Sequence, residues 1–368
     1  MSHSHYEARL EADLERIRGR VVDVAERIEE GLQNSLQALL GLDKKLAYQT
    51  ILGDFPINRS IMEIDRLCHY FVARHLPSAG HLRFISSVLR MSVELERIGD
   101  YAVTISRETV QLSRPLDTPV AGEAERLAKD TFQMFEQALR AFKEQNAELA
   151  KATMSYGYQI DRSFAAVFDE LVEAGQEHKR PVRDLFGTLV IFNRLERVSD
   201  QATNLCEETN FAVTGETKQA KAYRVLFLDR ANDCRSQMAA AIAKKAYPES
   251  GIYTSAGLHP IDELDPVFTA FMDERGIDLR GESPRSPRSI DDVQRWSDFR
   301  VIVSLQGPIH DYVSDVPFRT VALEWDIPEP PGQEATEDEA RARLEEIYKQ
   351  LALEVRILME TLRGEEAS

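Results

Sequence analysis

Long apolar runs are missing from this 368-residue chain. Nowhere do 18 apolar residues follow one another, so no transmembrane helix is expected. The opening stretch, MSHSHYEARLEADLERIRGR, lacks an apolar core segment, so no secretory leader is expected either. Cysteine is scarce: Cys68, Cys206 and Cys234 are odd in number and far apart. That excludes a disulfide framework and fits a reducing cytosol. Positive charge is in deficit, with 45 Lys and Arg against 62 Asp and Glu and a net charge of −17. Such a chain repels phosphate backbones and anionic bilayers, which argues against nucleic-acid partners and direct membrane insertion. What remains is an ordinary globular balance, 43% hydrophobic and 29% charged, with ample apolar material for a core. The length suggests about two domains.

Composition changes near residue 218. Residues 1–218 hold five prolines and residues 219–368 hold ten. The first part reads as long amphipathic helices; the second alternates short β-branched runs with turns and helices. Charge does not separate them, at −7 and −10. The polar stretch TGETKQAKAY joins them. Leu10, Leu14, Ile17, Val21, Ile28 and Leu32 recur at helical steps, giving one apolar stripe on a charged cylinder. A helix that long wants a bundle partner.

A repeat follows. RFISSVLRMSVELERIGDYAVTISRET (83–109) and RDLFGTLVIFNRLERVSDQATNLCEET (183–209) share nine of 27 positions at an offset of 100. Upstream, MEIDRLC (62–68) echoes YQIDRSF (158–164) at an offset of 96. Each unit therefore reads as three helices, near 6–40, 43–76 and 81–113, then 120–145, 147–175 and 180–212.

In the third helix of each unit a pair of carboxylates stands one position off the core stripe, at i and i+4. The pairs are Glu96 with Asp100 and Glu196 with Asp200, with Asn193 and Asn204 extending the second row of oxygens. Two like charges one turn apart cost a helix a few tenths of a kcal/mol, and a hard cation would offset that. Asp65 and Asp161, from the second helices, are candidates to complete each site. The plainer alternative is a solvated charged face, with Arg97 and Arg197 neutralising it.

The duplicated ERIGDYAVTI and ERVSDQATNL segments, set in two three-helix units, resemble the PhoU family over residues 6–213. The resemblance implies a cytoplasmic negative regulator of phosphate uptake and of the phosphate-starvation response. It implies partners too: the ATPase of a phosphate ABC transporter and a sensor histidine kinase, reached by protein contact, so that any membrane association is peripheral. Homodimers and iron, zinc or other divalent metal at the acidic motifs are also implied, with Glu96, Asp100, Glu196 and Asp200 as ligands. Thr104 stands where the second repeat has Asn204, so the second motif is expected to be the better supplied with oxygens. No organic cofactor is expected.

In the second part YRVLFL (223–228) reads as a buried strand, followed by the loop DRANDCRS and a helix from Gln237. IYTSAG, a helix near 263–275, strands at 299–305 and 319–326 and a final helix from 336 to 363 follow. Alternating strand and helix predict a small parallel sheet, with an anion cradle between the first strand and its helix. VLFLDRANDCRSQMA, TSAGLHP and EWDIPEP resemble the low-molecular-weight tyrosine phosphatases and the related arsenate reductases over residues 222–362. That resemblance implies a cysteine nucleophile, an oxyanion-binding arginine and a leaving-group acid. Arg235, Ser236 and Asn232 are kept as anion-binding residues, and Glu329 holds the acid slot. The nucleophile slot holds Asp229, whose charge would fill the hole meant for phosphate, and Asp233 adds another. Cys234, beside Arg235, is misplaced for in-line attack.

The expected architecture is thus multidomain α + α/β. Bundles at 1–115 and 116–215, a linker at 216–221 and a degenerate phosphatase-type domain at 222–368 make up the chain. A regulatory, non-catalytic protein is the leading expectation. The alternative is an active phosphatase or arsenate reductase with a non-standard nucleophile, in which Asp229 forms an aspartyl-phosphate or Cys234 does redox chemistry.

Overall fold

The computed structural model describes residues 2–156, 171, 175, 180–217, 222–287, 296, 299–314, 316–317, 320–332 and 334–364, with side chains from residue 6. The chain divides into two compact units, Met1–Lys218 and Gln219–Ser368.

The first unit is helical. Helix α1 (Ser2–Gly41) buries Leu10, Leu14, Ile17, Val21, Ile28 and Leu32, the stripe the spacing predicts. Asp43 caps α2 (Lys44–Arg74): one carboxylate oxygen accepts the Lys45 and Leu46 N–H groups at 3.0 Å. Helix α3 (Ala79–Gln111) follows within four residues, so it returns antiparallel to α2. Pro119 sits in the first turn of α4 (Thr118–Glu144), where its missing N–H costs nothing. Gln145, at φ 51°, turns the chain into a helical stretch at 147–156 (α5). Helix α6 (Val182–Thr214) ends on Gly215 at φ 80°, a left-handed cap that suits glycine. One apolar core runs through the unit, from Leu10 of α1 to Cys206 of α6, and joins both repeats.

The second unit is built on four parallel strands in the order β2-β1-β3-β4. They are β1 (Tyr223–Asp229), β2 (Gly251–Gly257), β3 (Val301–Ser304) and β4 (Val321–Glu324). Leu228 of β1 pairs with Ala256 on one side and Ser304 on the other. Because side chains alternate along a strand, Val225 and Phe227 enter one core and Leu226 and Leu228 the other. This explains why β1 is a continuous apolar run rather than an alternating one. The first core is completed by α7 (Arg235–Ala246), α8 (Pro266–Asp273) and α9 (Glu337–Arg363). With β1 between β2 and β3, the strand order reverses at its C-terminal end. Open α/β sheets place ligand crevices at that point.

Candidate functional sites

The third helices of the two repeats pack directly on each other. Along α3 the partners on α6 fall as the residue number rises, so the helices are antiparallel. Arg90 pairs with Glu208 at 2.6 Å. Asn204 Nδ2 donates to Glu94 at 3.2 Å. Gln201 Nε2 donates to the Tyr101 hydroxyl at 3.2 Å. Ser113 donates its N–H and hydroxyl to Asp184. Equivalent positions meet at Tyr101 and Gln201, both buried. The duplication is therefore expressed as a local two-fold axis between α3 and α6.

The two acidic motifs flank that axis in different settings. Glu96 and Asp100 are exposed. Glu196 is buried, Asp200 pairs with Arg197 at 3.2 Å, and the Asn204 amide is committed to Glu94. The Arg197 guanidinium is raised above its ordinary range by its bond to Tyr101, with Asp200 and Glu196 adding to it. The second motif is thus tied into the helix interface, and the first is open to ligands.

Beside Asp100 the structure places two α2 residues that sequence reasoning missed. Burial pushes the Asp54 carboxyl up, and the nearby Asp100 charge raises it further. Asn58 Nδ2 donates to Asp54 Oδ2 at 2.7 Å, yet Asp54 Oδ1 and Asn58 Oδ1 are buried with no hydrogen-bond partner. Two acceptor oxygens left without donors next to a carboxylate fit a hard cation, and an oxygen-only set suits magnesium, manganese or calcium-like ions. Asp65, expected in this role, lies eleven residues beyond Asp54 on the same face of α2. At 1.5 Å per residue that is about 16 Å away, so Asp54 and Asn58, not Asp65, complete the surroundings of Asp100. Asp161 lies outside the described residues. Among the described residues no three His, Cys, Asp or Glu side chains gather as a metal site, so any ion held here keeps part of its water shell.

The second site is the loop from β1 to α7. Asp229 is 1% exposed. Its Oδ1 accepts the Asn232 N–H at 2.6 Å and its Oδ2 the Ser236 N–H at 2.9 Å, and the Ser236 hydroxyl bonds to it as well. Burial pushes the carboxyl up, and these three donors and the Asp233 charge act in opposite senses upon it. Asn232 holds the loop at φ 52°. Its amide donates to the Ser236 hydroxyl at 2.8 Å and accepts the Arg285 N–H at 2.9 Å. Gly257 is required opposite: a Cβ there would fall 2.4 Å from the Asn232 nitrogen. Arg235 is buried and donates to the Ile327 carbonyl at 3.1 Å and to the Gln306 amide oxygen. Its partners come from the loops after β3 and β4, and neither was visible in the sequence. Glu329, two residues past Ile327, is exposed and its carbonyl accepts from Arg343. Cys234 is buried, and burial together with Asp233 and Asp229 pushes its thiol up, which disfavours the thiolate a nucleophile needs.

Comparison with known proteins follows this division. The PhoU domain model matches residues 21–109 and 124–209. The low molecular weight phosphotyrosine protein phosphatase model matches residues 224–368. The phosphate-specific transport system accessory protein PhoU homolog of Pseudomonas aeruginosa is 30% identical over 212 residues, 57% of this chain and 88% of that protein. The PhoU of Escherichia coli K12 is 27% identical over 214 residues, 58% of this chain and 89% of that protein. The crystal structure of PhoU from Pseudomonas aeruginosa superposes with a TM-score of 0.53 at 30% identity, covering 56% of this chain and 99% of that one. With its duplicated acidic helices and this likeness, the chain belongs to the PhoU family, and it carries a phosphatase-type domain C-terminal to its PhoU repeats.

Proposed function

We propose that this protein is an accessory regulator of a phosphate-specific transport system. In this reading it represses phosphate uptake and the phosphate-starvation response by contact with the transporter's ATPase and a sensor histidine kinase. The paired third helices carry the reading: a rigid antiparallel scaffold presents one open acidic motif, Glu96 with Asp100, beside Asp54 and Asn58. A divalent cation there, met by Asp54, Asn58 and Asp100 with water filling the rest of its shell, would supply positive charge that offsets the carboxylate repulsion and fixes α2 against α3. No helix of the described residues is long and apolar enough to cross a membrane.

Self-association is part of this reading. Tyr48, Leu52, Phe55, Met62 and Tyr70 share one face of α2, and each is more than half exposed. This apolar face, interrupted by the exposed Arg59 and Arg66, suits an isologous contact between two copies. The phosphatase-type domain acts here as a binding or shaping module, because a buried carboxylate stands where the resemblance expects a thiolate. Co-purification of the full chain with the transporter ATPase and the sensor kinase tests the contact. Retention of both partners is expected; loss of both from an otherwise folded chain would count against it.

A further inference from the structure

We propose that the Asp229 carboxylate is a resident internal ligand of the β1–α7 loop, and that vacating its position opens a site for a free tetrahedral oxyanion. The inference rests on the reading of the C-terminal unit as a non-catalytic module. Loops of this shape gather N–H donors on one point, and a helix N-terminus adds its dipole. Here the converging donors already have an acceptor: the Asn232 N–H takes one oxygen, and the Ser236 N–H, with the Ser236 hydroxyl beside it, takes the other. A free anion would meet a carboxylate at the bottom of the cradle and a second charge at Asp233.

The cradle has supports besides that carboxylate. Asn232 clamps the Ser236 hydroxyl with its amide nitrogen and receives the Arg285 N–H and the Gln237 amide on its oxygen. β1 is paired on both sides up to Leu228, and Gly257 lets the neighbouring strand close on the loop. Truncating Asp229 therefore leaves oriented donors without an acceptor, the arrangement that costs most in a buried site. Arg235, the residue before Ser236, is 4% exposed and its Nε–H has no hydrogen-bond partner. A way in exists. A pocket of about 440 Å³ lined by Arg230, Leu258, His259, Asp311 and Tyr312 lies beside the loop, where the Leu258 N–H bonds the Asp229 carbonyl. Arg230 and His259 place basic groups at its wall, and Asp311 an acidic one.

The test is chemical rescue in the full chain. Asp229→Ala and Asp229→Ser are compared with the unchanged protein by thermal unfolding in inorganic phosphate, in sulfate and in chloride of equal ionic strength. Isothermal titration of phosphate accompanies the scans. Both variants should unfold earlier than the unchanged protein in chloride. Saturating phosphate should raise their C-terminal transition by about 5 °C and leave the unchanged protein where it was. A response to sulfate as well would mark the site as one for tetrahedral oxyanions in general, which is the class proposed. If a variant is unfolded in chloride, folding in phosphate supports the proposal. Folded variants that take up no phosphate, variants unfolded in every salt, or an unchanged protein that binds phosphate as well as the variants, would each overturn it. None of these results depends on repression or on contact with the transporter, so failure here leaves that reading standing.

Discussion

The Tyr101 hydroxyl accepts a hydrogen bond from Gln201 at 3.2 Å, and the two residues hold the same position in successive repeats. Equivalent residues touch only where a repeat's own symmetry axis passes. The relationship therefore fixes how the two PhoU repeats are assembled: third helix against third helix, antiparallel, with Tyr101 and Gln201 at the axis.

Because that bond is buried, its loss should be felt. Tyr101→Phe removes the acceptor and strands the Gln201 amide in the helix interface. A destabilisation of about 1–2 kcal/mol is expected in urea unfolding, with an unchanged slope. Leu195→Ala, at a fully buried core position, should cost about 2–5 kcal/mol.

Much of this was legible in the residues. The Leu10–Leu32 stripe, the two third helices and the apolar run of β1 follow from period and burial alone, and the loop after β1 fell where strand met helix. Asp54 and Asn58 were not legible, because the duplication that marked the acidic pairs skips them. The residues 96 further on are Ala150 and Met154. Nor was the division of labour between the motifs: the Asn204 amide nitrogen reaches across the interface to Glu94, a contact that spacing does not show. Long-range partners such as Gln306 and Ile327 on Arg235 leave no spacing signal.

Asp54 gives a pH prediction with a definite sign. Its carboxyl titrates above its ordinary range in the folded chain, chiefly through burial and then through Asp100. The native state thus holds that proton more tightly than the unfolded state, and stability falls as pH rises through and above the unfolded carboxylate value near 4. In chelator, Asp54→Asn should unfold later than the unchanged protein at pH 7, and the difference should shrink toward pH 4. The same variant should lose the stabilisation that millimolar manganese or magnesium gives the unchanged protein. A cation response that survives both Asp54→Asn and Asp100→Asn would remove this site from the account.

The cysteines supply a third check. Burial pushes the Cys68 and Cys206 thiols up to about 12, and Cys234 is raised as well. At pH 8 the native chain should react with a thiol reagent over hours, and all three groups within minutes in guanidinium. Rapid labelling of Cys234 in the folded chain would reopen redox chemistry at the loop.

Hydrolysis of p-nitrophenyl phosphate by the full chain should not exceed the buffer rate, since the loop presents a carboxylate in the nucleophile slot and a thiol whose burial disfavours the thiolate. Turnover that disappears in Asp229→Ala would establish the enzyme instead. On the helical side, Phe55→Glu on the exposed face of α2 should convert a dimer to a monomer in light scattering without lowering the unfolding temperature.

The most direct test of the central claim is a phosphate-starvation reporter in the native host, grown in phosphate-rich medium with its own gene deleted. Restoring the full chain should return the reporter to its repressed level, and the Glu96→Gln, Asp100→Asn double variant should repress less. A reporter that stays fully induced when the folded, full-length protein is present would contradict the regulatory account.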